Sequence, residues 1–567
     1  MRKKAIFSFL LILISYLCLS SCFKIDSNIS RTIRSNIYKG SLASSGNFTT
    51  YFLKNKGDVP YIDFVDLTES IVSREITKDE KTTNGYKVSR IDNGAYLIVD
   101  AELDTIYFSN YEAFISKNKS ETAFDAKSST YIYSKTNSKE EIENKEVTFD
   151  LSKYNIDIVL SMEVVYVPYQ VYDTLILSQF DVSLAFNGND YYYVSNSNYF
   201  TVRNYYGAYF SGRSQSGVRS TEMANFTYNH LMFALDNFLG IKESRDIASF
   251  DELCSKEGLK DDLLNTSSET FNKALNNLIY TYLDDGHSSF VVSSNYLKYD
   301  VKADAKYSDS YIGLRRQALK ENYNSLSLIK DANGRFSYSN NVYNDSGNTL
   351  VISINSFNFP SNDYYQSAPN YNTYANDSFA IMYYAFNNKI PELESRYGTK
   401  ITNIVIDVTL NGGGYVDDCL GLLGFLSNNY YVEYENSASK DISKAYYSVD
   451  TNLDGKFDEL DSYKDKYNFY ILTSNYSFSC ANMLATIAKE QNLATILGEE
   501  TGGGGSIVYN LCLGDSTSIN ISGCHSLIYR DSNDKLCYSE NKITPDYELS
   551  RMYFYNAKFL NGYINSL

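Results

Sequence analysis

The sequence predicts a multidomain α+β protein whose C-terminal part is an α/β unit. Three observations carry this. Between Asn348 and Leu497 short apolar runs alternate with helical stretches, the pattern of a sheet wound by crossover helices. From Ile37 to about Ser197 nearly every apolar run reads as a strand, so residues 37–200 form a β-rich N-terminal domain. From Tyr205 to Tyr299 the apolar period becomes helical, which makes 205–300 a helical segment. Residues 301–347 are polar and turn-rich, a connector, and 348–567 form the C-terminal core. A chain of 567 residues has room for these units.

The formal charge of −17 argues against a nucleic-acid partner, since a polyanion would be repelled. Met1 to Ser21 reads as a leader, with Arg2, Lys3 and Lys4 ahead of the apolar stretch Ala5 to Leu19. It closes on Leu19-Ser20-Ser21-Cys22, which resembles the lipobox of bacterial lipoproteins. That resemblance implies that Cys22 carries palmitate-type acyl chains, that residues 1–21 are removed, and that 22–36 are a tether. The protein would then be held at a cell or outer membrane, on its extracytoplasmic face. Beyond Cys22, Cys254, Cys419, Cys480, Cys512, Cys524 and Cys537 contain no C-x-x-C pair, so a zinc knuckle is not expected. In an exported protein two of the last three could be oxidised together.

Within the β-rich domain Val59 to Leu67 and Val167 to Leu175 look alike. In each a strand ends at Pro-Tyr and an apolar-periodic segment follows; duplication and chance remain equal readings. In the helical segment Leu231, Met232, Leu235 and Phe238 share a face, and Thr266-Ser267-Ser268-Glu269 is a capping box. The helix after it should stop at Gly286, which leaves His287 just past its end.

The stretch Tyr467 to Ser506 organises the C-terminal unit. Tyr467 to Thr473 is a buried strand, Ala481 onward a helix, Ala494 to Leu497 a second strand, and Gly502 to Gly505 a turn. Ser479 sits where strand gives way to helix, as a nucleophile beside unpaired amides or simply as a helix N-cap. Upstream, Ile401 to Val408 is a strand, Asn411-Gly412-Gly413-Gly414 a sharp turn, and Asp417 to Leu426 a helix. A serine nucleophile needs a base near neutrality. His230 lies within a helical run and reads as structural, and His525 lies in a strand-like run. His287, between an acidic pair and serines, is the candidate base or a capping residue.

Five segments taken in order resemble the S41 serine peptidases, the family of tail-specific proteases and the tricorn core protease. They are Leu283-Asp284-Asp285-Gly286-His287-Ser288, Ile406 to Gly414, Ser477 to Asn482, Gly498 to Gly504, and Glu540-Asn541-Lys542-Ile543-Thr544-Pro545-Asp546. The resemblance implies a ClpP/crotonase-like α/β peptidase core. Tail-specific members carry a catalytic lysine in the glycine turn, where this chain has Gly504. The implied set is therefore the tricorn-like one: Ser479 as nucleophile, His287 as base, and Glu540 holding the histidine directly or through another hydroxyl. The amides of Cys480 and of Gly412 or Gly413 would bind the oxyanion. Three features depart from the family. Asn482 stands where tail-specific members have a glutamate, Gly286 stands where tricorn has a serine, and the connector is too short for a PDZ domain.

Asp450, Asn452, Asp454, Lys456, Asp458 and Asp461 hold the spacing of a calcium loop, with Gly455 at its sixth position. Ending on Asp, it resembles dockerin-type loops. A structural calcium ion is thus expected, with no cofactor for catalysis. The expectation is a lipid-anchored extracytoplasmic serine endopeptidase acting on polypeptides. The rivals are an inactive S41-like lipoprotein that binds peptides, and an acidic lipoprotein that binds glycans. The sequence leaves the oligomeric state open.

Overall fold

A computed structural model describes residues 28–116, 134–143, 145–180, 182–194, 203–211, 216–297, 313–334, 341–358, 377–531 and 533–567. The leader and Cys22 lie outside the described residues.

Five strands of the C-terminal sheet run parallel and lie side by side in chain order: Thr349–Ser353, Asn403–Asp407, Asn468–Thr473, Thr495–Gly498 and Tyr547–Glu548. Val342–Tyr343 adds an antiparallel edge. Right-handed crossovers that always step the same way put their helices on one face. Side-chain alternation shows both faces covered. Ile404 and Ile406 pack with residues of the helices Ser378–Tyr384, Val416–Leu426 and Cys480–Glu490. Val405, between them, packs with Leu560 of the helix Ala557–Ile564 and with Leu326.

Leu326 belongs to the helix Leu314–Ala332, so the connector 301–347 is not all turn. Only Leu326 and Lys330 of that helix are buried, too few apolar positions to show as a stripe in the sequence.

The second sheet joins the parts that composition separates. The strand Ser518–Arg530 pairs with Ser289–Val292, Tyr430–Asn436, Ser506–Cys512 and Leu536–Tyr538, and the sheet continues through Asp441–Val449 to Ser134–Glu143. Strands from the β-rich region and from the helical segment thus complete a sheet of the C-terminal unit. Boundaries at 200, 300 and 348 mark changes of pattern, but main-chain pairing crosses them.

The N-terminal region adds a seven-stranded and a five-stranded sheet. The first begins with Ile29–Tyr38, so the expected tether 22–36 is strand from Ile29 on. The two look-alike passages pair with each other, Val167 opposite Ile62 and Pro168 opposite Tyr61, and each strand leads straight into a helix. The helix Thr221–Phe238 runs through a core shared by this region and the Ser518–Arg530 strand.

Candidate active site

Ser479 follows the loop after Asn468–Thr473 and precedes the helix Cys480–Glu490. Its backbone is left-handed, φ 56° and ψ −122°, and its side chain makes no capping bond. Positive φ on a non-glycine residue is strained and persists only where the surroundings impose it. Here Ser479 N–H donates to Gly503 O at 2.9 Å and Met483 N–H donates to Ser479 O at 2.8 Å. Below, the Ser477 and Ser474 hydroxyls donate to Val408 O and Thr409 O at 2.8 and 2.6 Å. The result is a sharp strand-turn-helix corner with its hydroxyl outside the cap, the arrangement of a nucleophile elbow.

Against this corner lies Gly412–Gly414. A Cβ on Gly413 would fall 2.6 Å from Ser479 Cβ and 3.0 Å from its Oγ, and one on Gly414 2.2 Å from Phe357 O. Only glycine lets this main chain approach the serine so closely. Gly413 N–H donates to Asn411 Oδ1 at 2.8 Å. Cys480 N–H, the first of its helix, has no intrahelical carbonyl to bond. Burial pushes the Cys480 thiol up to about 12, and its Sγ donates to Gly414 O at 3.2 Å, so it is no rival nucleophile.

His287 is placed by strand register. The helical stretch before it ends at Asp284, φ 41°, two residues before the expected Gly286. The Asp285 carboxylate then accepts from the amides of His287 and Ser288, at 3.3 and 3.0 Å, and from the Ser288 hydroxyl at 2.6 Å. The strand that follows sets Ser289 opposite Asn520. Two residues back along an antiparallel pair, His287 faces Ser522, and Nδ1 lies 3.1 Å from Ser522 Oγ. Nε2 is buried without a hydrogen-bond partner.

The tautomer follows from the proton count. Burial works to raise the Asp285 carboxyl, but His287 and the Ser288 and Ser522 hydroxyls outweigh it and hold it below the usual carboxylate range. Ionised Asp285 can only accept, so the one Ser522 proton goes to it. Ser522 Oγ must then accept from Nδ1–H, and Nε2 carries the lone pair. Burial also pulls the imidazole below its ordinary value, helped by Arg315 and Arg316 and opposed by Asp285 and Glu540. His287 is therefore a neutral base near pH 7.

Glu540 does not hydrogen-bond to the histidine. Its Oε1 takes Arg315 Nη2 at 2.9 Å and its Oε2 takes Gly505 N–H at 2.9 Å. Arg315 opens the helix Leu314–Ala332, whose N-cap Gly313 has no side chain to offer. Asp284 serves instead, accepting from the amides of Arg315 and Arg316 at 2.7 and 3.1 Å. Arg316 also donates to the carbonyls of Asp285 and Ser288. The connector helix thus clamps the histidine loop from outside.

Residues 348–549 match the sequence profile of peptidase family S41. That stretch, about a third of the chain, is similar to the S41 peptidases. No curated protein matches the chain. Among solved structures it is similar to the photosystem II D1 C-terminal processing protease, at 20% identity and a TM-score of 0.26, over 36% of this chain and 42% of that one. It is also similar to a putative peptidase from Parabacteroides merdae ATCC 43184, at 16% and 0.37, over 58% and 90%. A lipoprotein from Streptococcus agalactiae matches at 15% and 0.27, over 45% and 89%. The chain thus spans less than half the length of the processing protease.

Within the matched stretch Gly504 has φ 84°, and a Cβ there would lie 2.6 Å from the Phe478 ring. That ring fills the space between Gly504, Gly286 and the imidazole, 4.8 Å from the latter, centroid to centroid. No hydrogen bond joins Nε2 to Ser479 Oγ. Asn482 ties the helix to Ser539 and accepts from Thr501 Oγ1 at 2.6 Å, a bracing role. Sequence reasoning missed Ser522, Arg315 and Phe478. Of these, Phe478 lay inside a quoted motif, while the other two are reached only through register and helix docking.

The other expected residues fall elsewhere. His230 is buried against Thr174 Oγ1 at 3.0 Å, and burial lowers it to about 3. In the loop Asp450–Asp461, Asp450 accepts from the amides of Asp454 and Gly455, Asn452 from Asp454, and Asp454 from Lys456. Asp458 and Asp461 cap each other's amides around Glu459–Asp461. Lys456 reaches Asp454 at 3.6 Å. Among the described residues no three His, Cys, Asp or Glu side chains group as they would around an ion. Cys254, Cys419, Cys480, Cys512, Cys524 and Cys537 are free thiols.

Proposed function

We propose that the protein is a lipid-anchored extracytoplasmic serine endopeptidase. The observation that carries the reading is Ser479 at its strained corner, with glycine main chain against its Oγ and the His287 imidazole 4.8 Å from the ring of the neighbouring Phe478. Ser479 Oγ attacks a peptide carbonyl and its proton passes to His287 Nε2. The imidazolium that forms is stabilised through Ser522 by Asp285 and, across space, by Glu540. The oxyanion lies against the amides of Cys480 and Gly412, since the Gly413 amide is already spent on Asn411 Oδ1. His287 then protonates the leaving amine, and water releases the acyl group by the same steps in reverse roles. Because Nε2 and Oγ are not bonded here, reaction requires the imidazole and the Phe478 ring to shift when substrate enters.

The anchor rests on the leader and Cys22. No helix among the described residues is long and apolar enough to cross a membrane, which leaves the acyl chains as the proposed attachment. Cleavage of a denatured protein substrate by the purified chain, lost in Ser479→Ala, supports the enzyme. Equal cleavage by that variant would leave the inactive, peptide-binding alternative. Membrane fractionation of Cys22→Ala tests the anchor, and an unchanged distribution would refute it.

A further inference from the structure

A cavity of about 450 Å³ is lined by Lys330, Asn355, Tyr476 and Gly412–Gly414, the turn that packs against Ser479. Lys330 comes from the helix Leu314–Ala332, and its side chain is 1% exposed. Its ammonium donates to Asn355 Oδ1 at 2.8 Å and to Asp407 Oδ2 at 3.3 Å. Asp407 is better served elsewhere, by the hydroxyls of Ser353 and Thr409, both at 2.6 Å, and by Thr409 N–H at 3.0 Å. An ammonium has three protons, so one remains for a ligand. Asn355 spends its oxygen on the lysine and keeps its NH₂ as a donor. The Tyr476 hydroxyl, raised by burial, stays protonated and is a further donor on the cavity wall. At Lys330, Asn355 and Tyr476 the unspent capacity is donor capacity, and the group that matches these three is an acceptor-only carboxylate.

A carbonyl attacked by Ser479, with its oxygen on the glycine turn, has its own Cα one bond away. That same turn lines the cavity. We propose, resting on the serine-peptidase reading above, that this cavity is the specificity subsite for the residue on the acyl side of the scissile bond. It takes a Glu or Asp side chain, paired with Lys330.

The test uses the full chain and quenched fluorescent peptides that differ only at that residue and end in an amide, so that the side chain is the only carboxylate source. Glu should be cleaved about 10-fold or more better in kcat/KM than Gln or Leu, the range of a hydrogen bond to a buried charge. Lys330→Met should bring the ratio to about one. That variant strips Asp407 of its cation, so Asn355→Asp, at a half-buried position, provides a second reading and should also abolish the preference. Fluorophosphonate labelling of each sample reports an intact nucleophile. A wild-type ratio near one, a preference for Leu, or a preference that survives in labelled variants overturns the proposal. Cleavage that instead follows a free C-terminal carboxylate, whatever the side chain, also overturns it. A wild-type protein that does not label sinks the peptidase reading, and this subsite with it.

Discussion

Two histidines meet the strand Ser518–Arg530, His525 buried and His287 half-buried, and end in opposite states. His525, on the strand, bonds Glu112 directly through Nε2 and the Tyr509 hydroxyl through Nδ1. Burial pulls it down, but Glu112 and Cys524 together outweigh burial and the imidazole is raised to about 10. His287, across from the strand, has a hydroxyl between its Nδ1 and the Asp285 carboxylate, and it stays below its ordinary value. Direct contact with a carboxylate favours the cation near neutral pH and fastens two regions together. One interposed hydroxyl leaves a neutral base with its second nitrogen unspent.

The largest expected effect comes from removing the base. His287→Ala should lower kcat by about 10⁴ or more, with the melting temperature little changed, as measured by peptide hydrolysis and thermal unfolding. His525→Ala should do the reverse, lowering stability without abolishing labelling of Ser479. Glu112→Gln leaves the cation at His525 buried without its carboxylate. It should cost about 3–5 kcal/mol in chemical denaturation, the range for breaking one side of a buried pair.

The pH dependences should separate the two sites further. His525 binds its proton more tightly folded than unfolded, so its contribution is complete below about 6.5 and is lost as pH rises through about 10. His287 binds its proton more weakly folded, so acid costs stability below about 6.5, and the acid limb of kcat/KM should fall below that value too. Ser522→Asp would give His287 the direct carboxylate that His525 has, and should move that acid limb to higher pH. An unmoved limb would mean that the interposed hydroxyl does not set the base. The smallest effect is at the corner itself. Ser479→Gly relieves a positive φ and should stabilise the inactive protein by about 0.5–1 kcal/mol.

The parallel strands, their helices and the corner at Ser479 were legible because they are local: apolar runs of strand length, helical spacing, and glycine where main chains must touch. The same holds for the Asp-Gly-His loop. What the sequence hid is non-local. Ser522 faces His287 only because Ser289 pairs with Asn520, some 230 residues away in the chain. Glu540 is near the base, yet its oxygens go to Gly505 in the glycine turn and to Arg315, on a helix that buries only Leu326 and Lys330. The resemblance identified the carboxylate at Glu540, while the hydrogen-bonded route from the imidazole runs through Ser522 to Asp285.

Intact-mass analysis after fluorophosphonate treatment, on the wild type, Ser479→Ala and His287→Ala, tests the central claim most directly. The account predicts one adduct on the wild type, mapped to Ser479, none on Ser479→Ala, and strongly slowed labelling of His287→Ala. An unlabelled wild type, or equal labelling of all three, would contradict it.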